Sequence, residues 1–196
     1  MEKTKHSHVE IIQKGNPTLR NISTPIPENK IKSPEIKSII SSLKKAVEKQ
    51  SDAVAIAAVQ INKPIRLFLI SKKVFGIVDL LSKKGKKSAA NSNEKTEKDD
   101  MVFINPKIIK TSKSKNSLEE GCLSVRYIYG KVPRAEKVTV EALDENGKKF
   151  SRGFSGFLAQ IVQHENDHLN GILFVDKAEH LHEISKKEYE KMLAGN

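Results

Sequence analysis

The sequence predicts an α+β domain with antiparallel strands packed around one central helix, and three observations carry that expectation. Strand-like apolar runs are grouped ahead of a late helix instead of alternating with helices, which is the order of an α+β chain and not of a doubly wound one. The Asn146-Gly147 step separates two such runs and is a strong hairpin signal, because both residues tolerate positive φ. The late helix puts His164, Glu165 and His168 on the same stripe as its apolar residues, so it must be surrounded by the rest of the chain.

Taken in order, the first 34 residues hold Pro17, Pro25, Pro27 and Pro34 and no sustained period, which predicts extended segments and turns wrapping the domain. From Glu35 to Lys49, the residues Ile36, Ile39, Ile40, Leu43 and Val47 recur at helical spacing and predict an amphipathic helix. Apolar runs at Ile65 to Ile70, Phe75 to Leu81 and Met101 to Ile104 read as strands, and the charged stretch from 82 to 100 between the last two reads as a long, mobile loop. Val138 to Leu143 and Lys148 to Phe154 form the arms of the predicted hairpin. Ser155 can cap a helix from about Gly156 to Asn170, with Gly171 placed to end it. Ser185 and Glu188 have the spacing of a capping box and predict a last helix at about 185–194. There is no internal repeat.

A chain of 196 residues with 37% hydrophobic content is enough for one domain spanning 1–196 with a single core. No run reaches the roughly 18 apolar residues of a membrane-spanning helix, and the start, MEKTKHSHVE, lacks the apolar segment of a secretory signal. A soluble, cytoplasmic protein is expected. Cys122 is the sole cysteine, so no internal disulfide can form and its thiol is left for another role. The net charge of +11 invites a nucleic-acid reading, but only five of the 35 basic residues are arginine (Arg20, Arg66, Arg126, Arg134 and Arg152). Base and phosphate recognition favours the guanidinium fork. The expectation is therefore a lysine-rich solvated surface, with at most an electrostatic preference for a polyanion such as the ribosome surface, and neither sequence-specific nucleic-acid binding nor membrane binding.

On the proposed helix, Phe157, Ile161, His164 and His168 form one row, and Leu158, Val162, Glu165 and Leu169 form the row beside it. Ala159, Gln160, Gln163, Asn166, Asp167 and Asn170 occupy the other faces. Burying two imidazoles and a carboxyl without partners is costly, and a metal bound by the imidazoles compensates it. H-E-x-x-H sets His164 and His168 one turn apart on one face, able to hold one cation, with Glu165 displaced toward a metal-bound water. The competing reading is a pair of hydrogen-bonded core histidines. His180 and His182 read as solvated, and His6 and His8 as part of a frayed terminus. For a third ligand, Glu179, Glu183 and Glu188 lie downstream, while Cys122 offers a soft thiolate beside Gly121, which allows close approach of the chain. Phe174 stands where one metalloprotease class has a third histidine, which removes that class.

Three motifs together give the chain its resemblance to peptide deformylases. Glu120-Gly121-Cys122-Leu123-Ser124 is similar to the family's EGCLS, Gln163 to Leu169 to its QHExDHL, and Ala53 to Gln60, AVAIAAVQ, to its GxGxAAxQ. Their order and spacing also match, over about Ile11 to Asp176. The resemblance implies a deformylase-like fold and a metal-dependent amidase that removes the N-formyl group from the N-terminal methionine of newly synthesised proteins, releasing formate. It implies Cys122, His164 and His168 as metal ligands, Glu165 as general base and acid, and Gln60 with the Leu123 N–H as oxyanion donors. Ala53, Val54, Ala55, Glu120 and Gly121 are implied to bind substrate, and one divalent metal is implied, natively iron(II), with zinc, nickel or cobalt as substitutes. The chain departs from the family at Ala53 and Ala55, where glycines are usual, at Val59, and at Arg126, where EGCLSVP ends in proline. Because the glycine strand of the family lies along the substrate backbone, two added methyls are expected to narrow that cleft. Two other readings stay open: a zinc protease with a downstream glutamate ligand, and a non-catalytic, ribosome-associated protein with a structural metal.

Overall fold

The computed structural model describes residues 9–83 and 99–194. His6 and His8 fall outside that range. The N-terminal segment carries two short 3₁₀ turns, Pro17–Arg20 and Glu28–Lys30, and leads into α1 (Pro34–Glu48). Ser33 Oγ accepts from the Ile36 N–H at 3.3 Å to cap α1, Pro34 begins it, and the predicted stripe of Ile36, Ile39, Ile40, Leu43 and Val47 is buried.

Two antiparallel sheets follow. One has the order β1 (Ala55–Ala57), β2 (Leu67–Ile70), β3 (Met101–Thr111), β6 (Lys137–Leu143) and β7 (Lys149–Ser155). The other is β4 (Lys115–Cys122), β5 (Val125–Ala135) and β8 (Glu179–Glu183). The β6–β7 hairpin forms as expected, but its turn spans Asp144 to Gly147, closed by the Gly147 N–H on the Asp144 carbonyl at 2.9 Å. Only Gly147 takes positive φ there, and Asp144 Oδ1 accepts from the Asn146 and Lys148 N–H groups at 2.8 Å each. The long helix α3 (Gly156–His168) packs against β1, β5, β6 and β7. A stacked pair, Phe68 and Phe103 with centroids 4.5 Å apart, lies in the core beneath it. No helix among the described residues is long and apolar enough to cross a membrane.

Four expectations need correction. Phe75 to Leu81 is part of a helix, α2 (Lys73–Lys83), and not a strand. Val74, Phe75 and Val78 point inward while Ile77 and Leu80 are exposed, so the run is apolar on both sides of a helix, a pattern that periodicity alone does not separate from a buried strand. Ser82 and Lys83, expected in the 82–100 loop, belong to α2. Residues 84–98 lie outside the described ones, and Asp100 beyond them accepts from the Lys72 N–H at 3.0 Å. The strand in residues 53 to 60 is only Ala55–Ala57, and Ala58–Ile61 is a 3₁₀ turn. β3 runs past Pro106 because the ladder with β6 shifts register between Ile104 and Lys107, and a bulge is where a strand tolerates proline. Asn105 takes φ 50° at that bulge and ties down the N-terminal segment by bonding both the N–H and the C=O of Ile26, at 2.8 and 2.7 Å.

The exit from α3 is closed by the chain's own beginning. The Ser23 N–H donates to the Leu169 carbonyl at 2.9 Å, and Gly171 holds φ +71°. A Cβ on Gly171 would stand 2.5 Å from the Arg20 carbonyl oxygen, so the N-terminal turn is seated directly on this residue. The last helix, α4 (Lys186–Leu193), begins with the expected reciprocal pair: the Ser185 N–H donates to Glu188 Oε2 at 2.7 Å, and the Glu188 N–H to Ser185 Oγ at 3.2 Å.

Candidate metal centre and active site

Three elements bring the candidate residues together. α3 carries His164, Glu165 and His168, the end of β4 carries Cys122, and the 3₁₀ turn after β1 carries Gln60. One ligand atom from each of Cys122, His164 and His168 lies within 4.8 Å of the others, and Cys122 Sγ is 3.2 Å from His168 Nε2. The imidazole rings meet edge to face, with centroids 5.0 Å apart. One thiol sulfur and two imidazoles form a donor set suited to a divalent transition metal with a coordination position left open. Glu179 and Glu183, the alternative third ligands, are exposed on β8, and Glu188 is occupied at the start of α4. None of them joins the group.

Behind the donors lies a buried ionic network. Glu120 Oε2 is 2.9 Å from His164 Nδ1, and Arg134 grips the same carboxylate with Nε at 2.8 Å and Nη2 at 2.9 Å. Arg134 Nη1 reaches Asp167 Oδ2 at 2.5 Å, and Lys177 Nζ lies 2.7 and 2.8 Å from the two Asp167 oxygens. Burial alone would raise the Glu120 carboxyl, but the hydrogen bonds from Arg134 and His164 outweigh it and hold it at about 2. The ionised carboxylate can only accept, so His164 carries a proton on Nδ1, which leaves Nε2 as the ring nitrogen free to serve as a donor to a metal. Glu120, expected to bind substrate, lines the cavity, and both its oxygens are bonded to Arg134 and His164. Asp167 and Gln160, expected on a face away from the stripe, are buried as well.

Burial disfavours a charge on either imidazole. At His164 the hydrogen bonds with Cys122 and Glu120 overcome it and raise the group above its usual range, whereas His168 is pushed well below. Burial pushes the Glu165 carboxyl up to about 7, with His164 pulling the other way. Among the described residues, the buried Glu165 Oε2 and His168 Nδ1 have no hydrogen-bond partner. A buried orphan carboxyl oxygen is costly, and this one belongs to a residue lining a cavity of about 260 Å³.

Gln60 is oriented from behind, its Oε1 accepting from the Ala57 N–H at 2.8 Å, so its Nε2 faces Ser124 Oγ at 3.1 Å and Cys122 Sγ at 3.6 Å. Leu123 sits in the β4–β5 turn with its carbonyl held by Gln13 Nε2 at 3.0 Å, and the Ser124 N–H stands 3.4 Å from the sulfur. Gly121 permits close approach as expected: a Cβ there would lie 2.7 Å from the Tyr129 ring. Ala53, Val54 and Ala55 line the same cavity. β1 is the terminal strand of its sheet, with β2 on its inner side, so its other edge has no partner strand. Sequence reasoning missed Arg134, Asp167 and Lys177; the available signal was that Glu120 and Asp167, both inside the motifs, needed a cation that neither motif supplies.

The family model described as polypeptide deformylase matches residues 8–183. A peptide deformylase of Psychrobacter cryohalolentis is 39% identical over 168 residues, 85% of this chain and 77% of that protein. One of Treponema pallidum is 34% identical over 163 residues, 83% of each chain. Among solved structures, a class I type b peptide deformylase from Acinetobacter baumannii with Met-Ala-Ser bound superposes with a TM-score of 0.70 at 31% identity, covering 86% of this chain and 97% of that one. A peptide deformylase from Synechococcus elongatus in complex with actinonin gives 0.70 at 27% identity, covering 99% and 88%.

Proposed function

The chain belongs to the polypeptide deformylase family, a family of metallohydrolases that remove the formyl group from N-terminal formyl-methionine, and on that premise we propose which of its residues perform the reaction. Cys122, His164 and His168 hold the divalent metal, with iron(II) as the native ion. The convergence of their donor atoms is the single observation that carries this assignment. When bound, the ion supplies Lewis acidity, polarising the formyl carbonyl and making water a stronger acid.

The chain's own residues do the rest. Glu165, with its carboxyl near neutrality and Oε2 unpaired among the described residues, takes a proton from the attacking water and returns it to the departing amine. Gln60 Nε2 and the Leu123 N–H donate to the carbonyl oxygen as it becomes negative. Glu120 orients His164, and Arg134 in turn keeps Glu120 ionised. The outer edge of β1 pairs with the peptide backbone, as an exposed sheet edge does with an extended ligand. The Acinetobacter relative solved with Met-Ala-Ser bound supports a short peptide beginning with methionine in this cavity. The net charge of +11 supports a salt-sensitive attraction to a polyanion such as the ribosome surface.

Anaerobic assay of the iron-loaded protein on formyl-Met-Ala tests the reading, with formate and free amine appearing together as the expected result. Retained metal with no turnover would overturn it in favour of a non-catalytic metal protein.

A further inference from the structure

α4 is held against the molecule chiefly by Tyr189. Tyr189 is its only buried residue, and the phenol donates to Asp52 Oδ2 at 2.6 Å. Arg126 lies over the Tyr189 ring, 5.4 Å from guanidinium carbon to centroid, and also bonds its hydroxyl. The same guanidinium reaches Asp52 Oδ2 at 3.0 Å and Gln50 Oε1 at 2.8 Å. The Tyr127 ring closes the cluster edge-on at 5.2 Å. Burial, aided by the Asp52 hydrogen bond, pushes the Tyr189 phenol well up, so it remains a donor. Three distant parts of the chain thus meet at one point: the residues just before β1, the start of β5, and α4.

This cluster is outside the Cys122, His164 and His168 group but shares its cavity, which Asp52, Arg126, Tyr189 and Met192 all line. A peptide with its formyl group beside Gln60 that pairs along β1 advances about 3.3 Å per residue toward Asp52. Its second and third residues therefore arrive where α4 stands. The wall they meet is apolar and aromatic, because Asp52 neutralises Arg126 and the surface offered is the Tyr189 ring and the half-exposed Met192 side chain.

We propose that Arg126 and Asp52 are positioning residues that hold α4 as a specificity wall, on which Tyr189 and Met192 select peptides with an apolar side chain at the third position. The inference rests on the deformylase reading of the site.

The test compares formate release from formyl-Met-Ala and formyl-Met-Ala-Leu by the metal-loaded full chain, its Arg126→Met and Tyr189→Phe variants, and Arg126→Lys as a rescue. In the wild type the longer peptide is expected to have the higher kcat/KM by at least about fourfold, the worth of burying one methylene. In Arg126→Met and Tyr189→Phe this advantage falls toward one, through a higher KM for the longer peptide and not through kcat, and Arg126→Lys recovers part of it. Tyr189→Phe removes a single oxygen, which guards against a folding defect in Arg126→Met. A wild-type ratio near one, or an unchanged ratio in both variants, overturns the inference and leaves the deformylase reading standing. Formate from neither peptide overturns both.

Discussion

Glu120 Oε2 stands 2.9 Å from His164 Nδ1, and the carboxylate that orients this imidazole is itself clamped by two nitrogens of Arg134. The candidate centre is therefore supported by Arg134, which is neither in the donor group nor on the cavity wall. Removing one member of a buried ion pair leaves the other charged and unpaired, at a cost of about 3–5 kcal/mol. Arg134→Met is expected to lower the urea midpoint accordingly. Glu120→Gln, which keeps the shape but weakens the orienting bond, should reduce metal affinity about 10- to 100-fold, as loss of an outer-sphere partner does. Chelator competition measures the second effect, and unchanged affinity would remove Glu120 from the support of the centre.

Metal retention separates the ligands from the proton carrier. Cys122→Ser replaces a soft thiolate by a much less acidic hydroxyl and should lose the metal on dialysis along with activity. Glu165→Gln should keep the metal near full occupancy while kcat falls by at least about 10²-fold, the lower end for general acid–base catalysis. If Glu165→Gln loses metal as His164→Ala does, the carboxyl is a ligand.

Ala55 is buried and also lines the cavity, next to the edge that a peptide must approach. If its methyl holds the peptide backbone off, Ala55→Gly should strengthen a hydrogen bond worth about 0.5–1.5 kcal/mol, raising kcat/KM on a formyl-methionyl peptide by a few-fold. The freer unfolded chain costs about 0.4–1 kcal/mol, and the methyl lost from the core adds to that. A faster, less stable enzyme is the expected signature. Unchanged or lower kcat/KM in both Ala55→Gly and the double variant with Ala53→Gly would show that these methyls do not obstruct the substrate.

Asp176 links the turn after α3 to the N-terminal segment through Arg20 and the Leu173 N–H. The hydrogen bond with Arg20 holds its carboxyl below the usual range, against burial. As pH falls, the unfolded chain takes up this proton first, so the stabilisation is full above the ordinary carboxylate pKa of about 3.9 and fades as pH drops through the lower folded value. Asp176→Asn should cost no more than about 1 kcal/mol at neutral pH, because the pair is partly solvated. The difference from wild type should vanish in acid melts, and a difference that persists there would point to packing instead of charge.

Local chemistry explains what could be read from the sequence. The Ile36 to Val47 stripe, the hairpin marked by Asn146-Gly147, and the capping pair Ser185 and Glu188 each carry their information within a few residues, and each is found as expected. The meeting of His164, His168 and Cys122 was legible because H-E-x-x-H sets two imidazoles together by helix spacing alone, and the EGCLS resemblance supplied Cys122. What was missed depends on partners far along the chain. β8 shows five exposed residues and no alternation, so only its pairing with β5 makes it a strand. Arg134 looks like any surface arginine until β5 carries it under α3, between Glu120 and Asp167. The run after Val74 carries apolar residues on both its buried and its exposed face, so its composition does not tell helix from strand.

The seat of the N-terminal turn on Gly171 also constrains when the molecule can be completed. Arg20 and Gly171 are 151 positions apart, so this one contact has to wait for Gly171, although Ile26 finds Asn105 and Thr24 finds Pro64 much earlier. Closing so long a loop costs entropy that only the finished contact repays. A growing chain can form α1 and its early strands piecemeal, but Ser23 cannot close the end of α3 until Leu169 has been made. A fragment stopped short of Gly171 would hold all three donor residues without the strap that closes the helix behind them.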